Sequence, residues 1–551
     1  MNGHSFHIKT YGCQMNVNDT DIVRAVLLEK GFVEAPSEEK ATIWLTNTCA
    51  IRDKAEQKVV QRLQGLRKRK QQQHSKKVVG VLGCMAERLQ ENLLQEQMAD
   101  LVVGPDAYRD LPRLLDELLL PEHPISTAMN VQLSLDETYE DIVPVRDASS
   151  PTPFSAFVSI QRGCSNRCSF CIVPFTRGQE RSRPLESIVA EVTQLLEEDN
   201  LKEVVLLGQN VNSYHDRSEA ALEARPLAAT PGLSNEGFRN RVRRPTQGGY
   251  TFVDLVERIA DLSPELRVRF TSPHPKDYPT ELLHCMAERP NVCNQLHLPA
   301  QSGSTSMLKR MKRGYSREAY LQLIDTVHSI IPDVALSSDF IAGFCGETEE
   351  EHRDTVSLLE QVEYEQAFLF AYSLRQKTHA HRALQDNVPA PIKQERLQEL
   401  IDTFRNRVHA KNERVEVGKL RLVLVEGPSK RQQTTEGSSE ATWHGRTDQN
   451  KRILFPVHVN PMDQGRALVV GDEVALQTLA ATTASVTARS TTSLVPGDYA
   501  VVEVTEAKGH TLRGRVLWKT TLAKFASMNE TVLSKIGENE MECFKQQLRI
   551  V

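Results

Sequence analysis

Cys13, Cys49 and Cys84 recur at intervals of thirty-six and thirty-five residues, and each follows a short apolar run. Residues 6–11 read as a strand leading to Gly12-Cys13. Residues 41–46 lead in the same way to Asn47-Thr48-Cys49, and residues 78–82 to Gly83-Cys84. The stretches between them look helical. Ile22, Val23, Val26 and Leu27 line one face of residues 19–30, which stop at Gly31, and a charged helix spans about residues 55–70. One right-handed strand–helix–strand unit takes about thirty or more residues, so residues 5–125 predict a parallel-sheet βαβ domain. Ligands gather at the carboxyl edge of such a sheet, which would bring the three thiols together. The alternative is three unrelated buried cysteines, since free cysteine is a common core residue.

A second set of thiols is compact. Cys164, Cys168 and Cys171 stand at C-x3-C-x2-C spacing, just after the alternating run Ala156-Phe157-Val158-Ser159-Ile160. A strand ending in a short loop can wrap three thiolates around one four-iron cluster, leaving one iron open to a ligand. A structural zinc site is the alternative, but it needs a fourth partner. The next Cys or His after Cys171 is His215, far downstream.

With 551 residues the chain is too long for one core and suggests two to four domains. Hydrophobic residues at 40% and charged residues at 25% fit a soluble globular protein. No apolar run reaches the roughly 18 residues of a membrane span. Neither a secretory signal nor a transit peptide precedes the first strand. Six of ten cysteines fall in the two sets, which favours reduced, metal-binding thiolates over disulfides. A net charge of −5 does not advertise nucleic-acid binding. Local basic clusters at 67–70, 239–244 and 309–313 are equally readable as solvated faces.

Residues 126–149 read as an acidic linker. The central region, 150–391, alternates again, with strands expected at 157–161, 203–207, 267–271, 294–298, 335–341 and 367–372. Helices are expected at 185–196, 317–330 and 349–362. Six strands suggest a partial (β/α)6 barrel rather than a closed eight-stranded one. Residues 215–249, rich in Ala, Arg, Pro and Gly, read as a mobile insertion. A helical link at 392–414 leads to short strands and turns over 414–519, including a polar turn at 445–450 and Gly471-Asp472, which predict a small all-β barrel. The tail, 520–551, carries Cys543 and no readable pattern.

The central triple resembles the signature of radical S-adenosylmethionine (SAM) enzymes. With Cys13, Cys49 and Cys84, it makes nearly the whole chain similar to the MiaB-type methylthiotransferases. The segments that carry this resemblance are Thr10-Tyr11-Gly12-Cys13-Gln14-Met15-Asn16, Leu82-Gly83-Cys84-Met85-Ala86, Gly208-Gln209-Asn210-Val211, His297 to Ser304, and Asp339-Phe340-Ile341-Ala342-Gly343. Gly445 to Asn450 resembles the turn of the family's C-terminal TRAM domain, an RNA-binding barrel. Phe344-Cys345-Gly346-Glu347-Thr348 resembles the eukaryotic branch named for association with a cyclin-dependent kinase 5 regulatory subunit, where cysteine replaces the commoner proline. Lys377 stands where most relatives have glycine. Gln14-Met15-Asn16 favours the members acting on isopentenyl-adenosine.

The resemblance implies two [4Fe-4S] clusters, one on Cys164, Cys168 and Cys171 and one on Cys13, Cys49 and Cys84. SAM on the first is cleaved to a 5′-deoxyadenosyl radical that takes hydrogen from C2 of the adenine at tRNA position 37. Sulfur is supplied at the second, and another SAM gives the methyl group. The product is 2-methylthio-N6-isopentenyladenosine. Gly208, Gln209, Asn210 and Asp339 become candidates for SAM contact, with His297 and Ser302 nearby, though turn and strand-end roles explain such residues equally well. Trp443, Arg446 and Arg313 are candidates to meet the anticodon loop of tRNA. The implied partners are tRNA, an electron donor such as a ferredoxin or flavodoxin-type reductase, and a kinase regulatory subunit, with no membrane. The implied compartment is the mitochondrion. No presequence is visible, so an incomplete start or a cytosolic form stays open. Two rivals remain: a regulatory protein that binds a kinase activator without catalysis, and a radical SAM enzyme that inserts no sulfur.

Overall fold

The structure, a computed structural model, describes residues 4–50, 53–72, 77–120, 126–147, 149–226, 237–238, 248–429, 442–456 and 494–534. The basic cluster 239–244, Gly471-Asp472 and Cys543 lie outside them.

The N-terminal sheet has six strands, all parallel. In spatial order they are Val33–Glu34, Ser5–Thr10, Ile43–Thr48, Val78–Gly83, Leu101–Val103 and Ala128–Asn130. The three cysteine-bearing strands are therefore neighbours at the centre of the sheet. The first helix, Gln14–Glu29, starts five residues before the expected Asp19. Its first turns carry Asn16, Asn18, Asp19 and Thr20, which amphipathic reading would leave in water. All four are buried, because this end of the helix faces the central domain. The strand Ala128–Asn130 lies in the stretch expected to be linker. Beyond it, Tyr139 stacks on Tyr108 with ring centroids 5.8 Å apart and hydrogen-bonds Pro105 O, so this stretch completes the N-terminal core.

The central domain holds six parallel strands in two sheets of three. Ser155–Ser159, Glu203–Leu207 and Arg267–Phe270 form one, and Gln295–His297, Ala335–Ala342 and Gln366–Ala371 the other. A parallel bridge between Val268 and Val292 joins them, giving an open six-stranded barrel in sequence order. Helices between the strands bury their apolar faces on it. Two of these helices start at capping boxes, Thr251 with Asp254 and Thr348 with Glu351, which satisfy amide groups that the first turn leaves open. The segment 215–249 is not irregular throughout. Glu219–Ala224 is helical, and His215–Asp216 pairs with Tyr250–Thr251 to close the base of the segment. Phe238 packs on Tyr315 in the barrel core.

After the helix Ala390–Val415, five strands close a small barrel in the order Leu420–Pro428, Thr442–Thr447, Arg452–Pro456, Thr511–Thr520, Tyr499–Lys508. Gly445, Arg446 and Thr447, expected in a turn, belong to a strand, and the turn is Asp448 to Asn450. In the tail, Leu522–Ser534 is helical. Two arginines of one central strand fix the small barrel in place. Arg267 donates to Leu422 O at 2.8 Å and Arg446 O at 2.9 Å. Arg269 donates to Thr447 O at 2.8 Å and Asp448 O at 2.7 Å, while its Nε meets Glu203.

Candidate functional site

Both thiol sets lie at carboxyl ends of parallel strands, and Arg177, six residues past the second set, reaches Cys84 of the first across the seam between the first two domains. Cys13 caps the helix Gln14–Glu29, Cys49 directly follows its strand, and Cys84 opens the helix Cys84–Leu89. Gly12 lets these segments meet: with φ of 121°, a Cβ there would lie 2.5 Å from Cys49 Cβ. Cys13 is exposed, and a hydrogen bond from Cys49, with Arg177 helping, lowers its thiol to about 6. Burial pushes Cys84 up.

The second set sits on the loop after the first central strand. Gly163 makes the sharp entry, with φ of 73° and its missing side chain filled by the carbonyls of Gly178 and Gln179. Cys164 is buried, while Cys168 and Cys171 are partly open. Burial, then the neighbouring Cys168, pushes Cys171 up to about 12. Arg313 Nη1 donates to Cys168 Sγ at 3.3 Å, and His274 Nε2 stands 4.0 Å from the same sulfur. Burial, followed by Arg313 and Lys276, keeps His274 neutral. Its Nδ1 accepts from the Lys276 amide, so its proton sits on Nε2, towards the thiol.

The donor chemistry fits iron–sulfur clusters. Each set offers three thiols, and each has a guanidinium donating to one sulfur. Among the described residues no three His, Cys, Asp or Glu side chains converge on one ion. A cluster spreads its ligands over separate irons. The SAM candidates flank the second set. Gly208, Gln209 and Asn210 follow the strand Glu203–Leu207, and the Gln209 side-chain oxygen is buried without a donor, as is that of Gln161. Both suit a cofactor carrying an ammonium group. Asn210 has a structural task, since its oxygen accepts from His274 N at 3.0 Å. Asp339 and His297 pair at 3.4 Å on adjoining strands, and Ser337 holds the other His297 nitrogen at 2.9 Å.

Four expected site residues have partners within the chain. Ser302 turns away from the strand ends and bonds Thr355 at 3.1 Å. Arg313, expected on an RNA-facing surface, is buried, because its three nitrogens serve Tyr315, Cys168 and Pro299 O. Arg446 remains half-exposed but is paired with Glu426 at 3.0 Å, and Trp443 leans on the small-barrel core.

The residues that sequence reading missed form a buried network on the seam. Asp19 accepts from Arg162 at 2.9 Å and from Arg177 at 2.6 Å, and Asp106 accepts twice from Arg181 at 3.0 Å. Arg177 also donates to Cys84 Sγ at 3.2 Å and to Asn16 Oδ1 at 3.2 Å. Burial pushes the Asp19 pKa up, but Arg177 and Arg162 outweigh it and hold the carboxyl below its ordinary range. The available signal was the run of four arginines, Arg177, Arg181, Arg183 and the earlier Arg162, crowded around the cysteine loop.

The model of the uncharacterized protein family UPF0004 matches residues 5–104, and that of the radical SAM superfamily matches residues 158–359. The mouse mitochondrial tRNA methylthiotransferase CDK5RAP1 is 48% identical over 94% of this chain and 81% of its own length. The tRNA-2-methylthio-N(6)-dimethylallyladenosine synthase of Chloroherpeton thalassium is 44% identical over 85% of this chain and 95% of its own. A solved radical SAM methyltransferase, TsrM from Kitasatospora setae, gives a TM-score of 0.47 at 12% identity, over 69% of this chain and 74% of that one. On these identities and coverages the chain belongs to the MiaB-type radical SAM tRNA methylthiotransferase family.

Proposed function

We propose that this chain converts N6-isopentenyladenosine at tRNA position 37 to its 2-methylthio derivative, with Cys164, Cys168 and Cys171 holding one [4Fe-4S] cluster and Cys13, Cys49 and Cys84 another. The carrying observation is the pair of three-thiol sites at carboxyl strand ends, linked by Arg177 from the loop of one to Cys84 of the other. When bound, the clusters and SAM supply the radical abstraction, the sulfur and the methyl group, a chemistry no side chain provides.

The chain's own residues bind, orient and exclude water. Arg313 and His274 hold Cys168 by N–H donation, which fixes the loop and stabilises negative charge on the sulfur. Gln209 and Gln161 offer buried acceptors for the ammonium of SAM. Asp339 is available to a hydroxyl or amine of the same cofactor. The small barrel, docked through Arg267 and Arg269, is read as a TRAM domain. It is joined to the strand that carries those arginines, so it would hold RNA at a fixed distance from the thiols. The names of the eukaryotic relatives support a mitochondrial setting. The non-catalytic reading finds no support among the relatives.

The test is iron and acid-labile sulfide per chain after anaerobic reconstitution, with the Cys13→Ala/Cys49→Ala/Cys84→Ala variant alongside. The expected result is about eight irons, falling to about four in the variant. About four irons in both would remove the second cluster and with it the sulfur-inserting role. A nucleoside profile of tRNA from cells lacking the protein should then show isopentenyladenosine without its methylthio form.

A further inference from the structure

The guanidinium of Arg177 is buried against the first thiol set, though it belongs to the central domain. It lies six residues past Cys171, beyond the single turn Val173–Thr176, and reaches across the seam. Its Nε donates to Cys84 Sγ at 3.2 Å, and its Nη2 to Asp19 at 2.6 Å and Asn16 at 3.2 Å. Its Nη1 is buried and has no partner. Arg313 is the contrast, because the matching arginine at Cys168 has every nitrogen engaged. A buried N–H without an acceptor costs roughly 1–3 kcal/mol, a cost that an acceptor on a group bound at this site would remove. Charge points the same way. Within the hydrogen-bonded seam network Arg162, Arg177 and Arg181 face two carboxylates, Asp19 and Asp106, and the third positive charge is met by the thiols of Cys84 and Cys13.

We propose that Arg177 is a positioning residue for the Cys13–Cys49–Cys84 site. Its Nε holds the Cys84 thiolate, and its free Nη1 donates to an anionic sulfur of the iron–sulfur cluster bound there. This rests on the reading that the site holds such a cluster. Reduction adds negative charge to the cluster, and a cation with a directed N–H stabilises the reduced form, so the contact raises the reduction potential. Because the same side chain belongs to the loop of the other cysteine set, it also sets the distance between the two sites.

The test uses the full-length Cys164→Ala/Cys168→Ala/Cys171→Ala protein, reconstituted anaerobically, so that only this cluster is seen. Arg177→Met, Arg177→Lys and Arg162→Lys are introduced into it. Iron per chain and an EPR-monitored reductive titration are the readouts. Arg177→Met is expected to lower the reduced-to-oxidised ratio at a fixed potential about tenfold, which is about 59 mV for one electron. Arg177→Lys, which keeps the charge but not the fork, is expected to fall between. Arg162→Lys disturbs the same network without touching a thiol and should leave the potential in place. If Arg177→Met fails to fold, Arg177→Lys decides. A midpoint equal to the parent's in either folded variant, or an equal shift in Arg162→Lys, overturns the proposal. A parent without iron overturns the second-cluster reading itself, and the proposal with it.

Discussion

Asp19→Asn removes the carboxylate that two domains share, and its effect can be worked from the geometry. Asp19 is fully buried and accepts from Arg162 on one oxygen, and from Arg177 and the Tyr108 hydroxyl on the other. An amide keeps one acceptor and turns an NH2 group towards the second guanidinium. Two buried cations then share one neutral partner, and breaking a buried pair from one side costs about 3–5 kcal/mol. Trp44, at the heart of the N-terminal domain, reports its unfolding once Trp443 and Trp518 are replaced by Phe. At a urea slope of about 2 kcal/mol per M, the midpoint should fall by roughly 2 M. Adding Arg162→Met should recover part of the loss, since it removes one stranded cation, so the two effects should not add. The carboxyl pKa is depressed in the fold, so its stabilisation is present above the unfolded value of about 3.9 and disappears as pH falls below it. The gap between parent and variant should therefore stay constant near neutrality and narrow only under acid. A midpoint shift below about 0.5 M at neutral pH would refute the idea that this buried pair holds the seam.

Other perturbations follow from single positions. Gly163→Ala would push a Cβ into the carbonyls of Gly178 and Gln179 at a left-handed φ, displacing Cys164. Reconstituted iron should drop by about four per chain, and an unchanged count would show that the loop tolerates the strain. Lys377, with φ of 70°, sits in a conformation that costs a non-glycine residue about 1–2 kcal/mol. Lys377→Gly should raise the unfolding midpoint, by about 1 kcal/mol once the extra freedom of the unfolded chain is deducted, and a lower midpoint would count against this account. Burial pushes Glu87 up to about 7, so the folded state takes up a proton that the unfolded state lacks. The stability this gives is complete below about pH 4.3 and is lost as pH rises through about 7. Glu87→Gln should flatten that decline. Parallel stability profiles for the two proteins from pH 5 to about 8.5 would sink the assignment.

The parallel sheets and the gathering of Cys13, Cys49 and Cys84 were legible because strand, helix and cysteine repeat locally at a period one βαβ unit imposes. Lys377 illustrates a departure that sequence could mark but not explain: the backbone there is left-handed, a conformation that favours glycine. What escaped were the charges whose partners lie far off in sequence. Asp19 and Arg177 are 158 positions apart, and each alone looks like a solvated polar residue on a helix or loop. Arg313 misled for the same reason, since a basic run at 309–313 reads as an exposed patch while its last member turns inward to Cys168. A buried guanidinium needs acceptors for its N–H groups, carbonyls for Arg267 and thiols or carboxylates at the seam. In this chain Arg177 and Arg313 both end on a cysteine sulfur, one in each thiol set. The pairing that local periodicity could not see is thus a guanidinium–sulfur contact in each thiol set. It also explains why Asn16 and Asp19 are buried in the first turns of the helix Gln14–Glu29, for they supply the acceptors that carry Arg177 to its thiol.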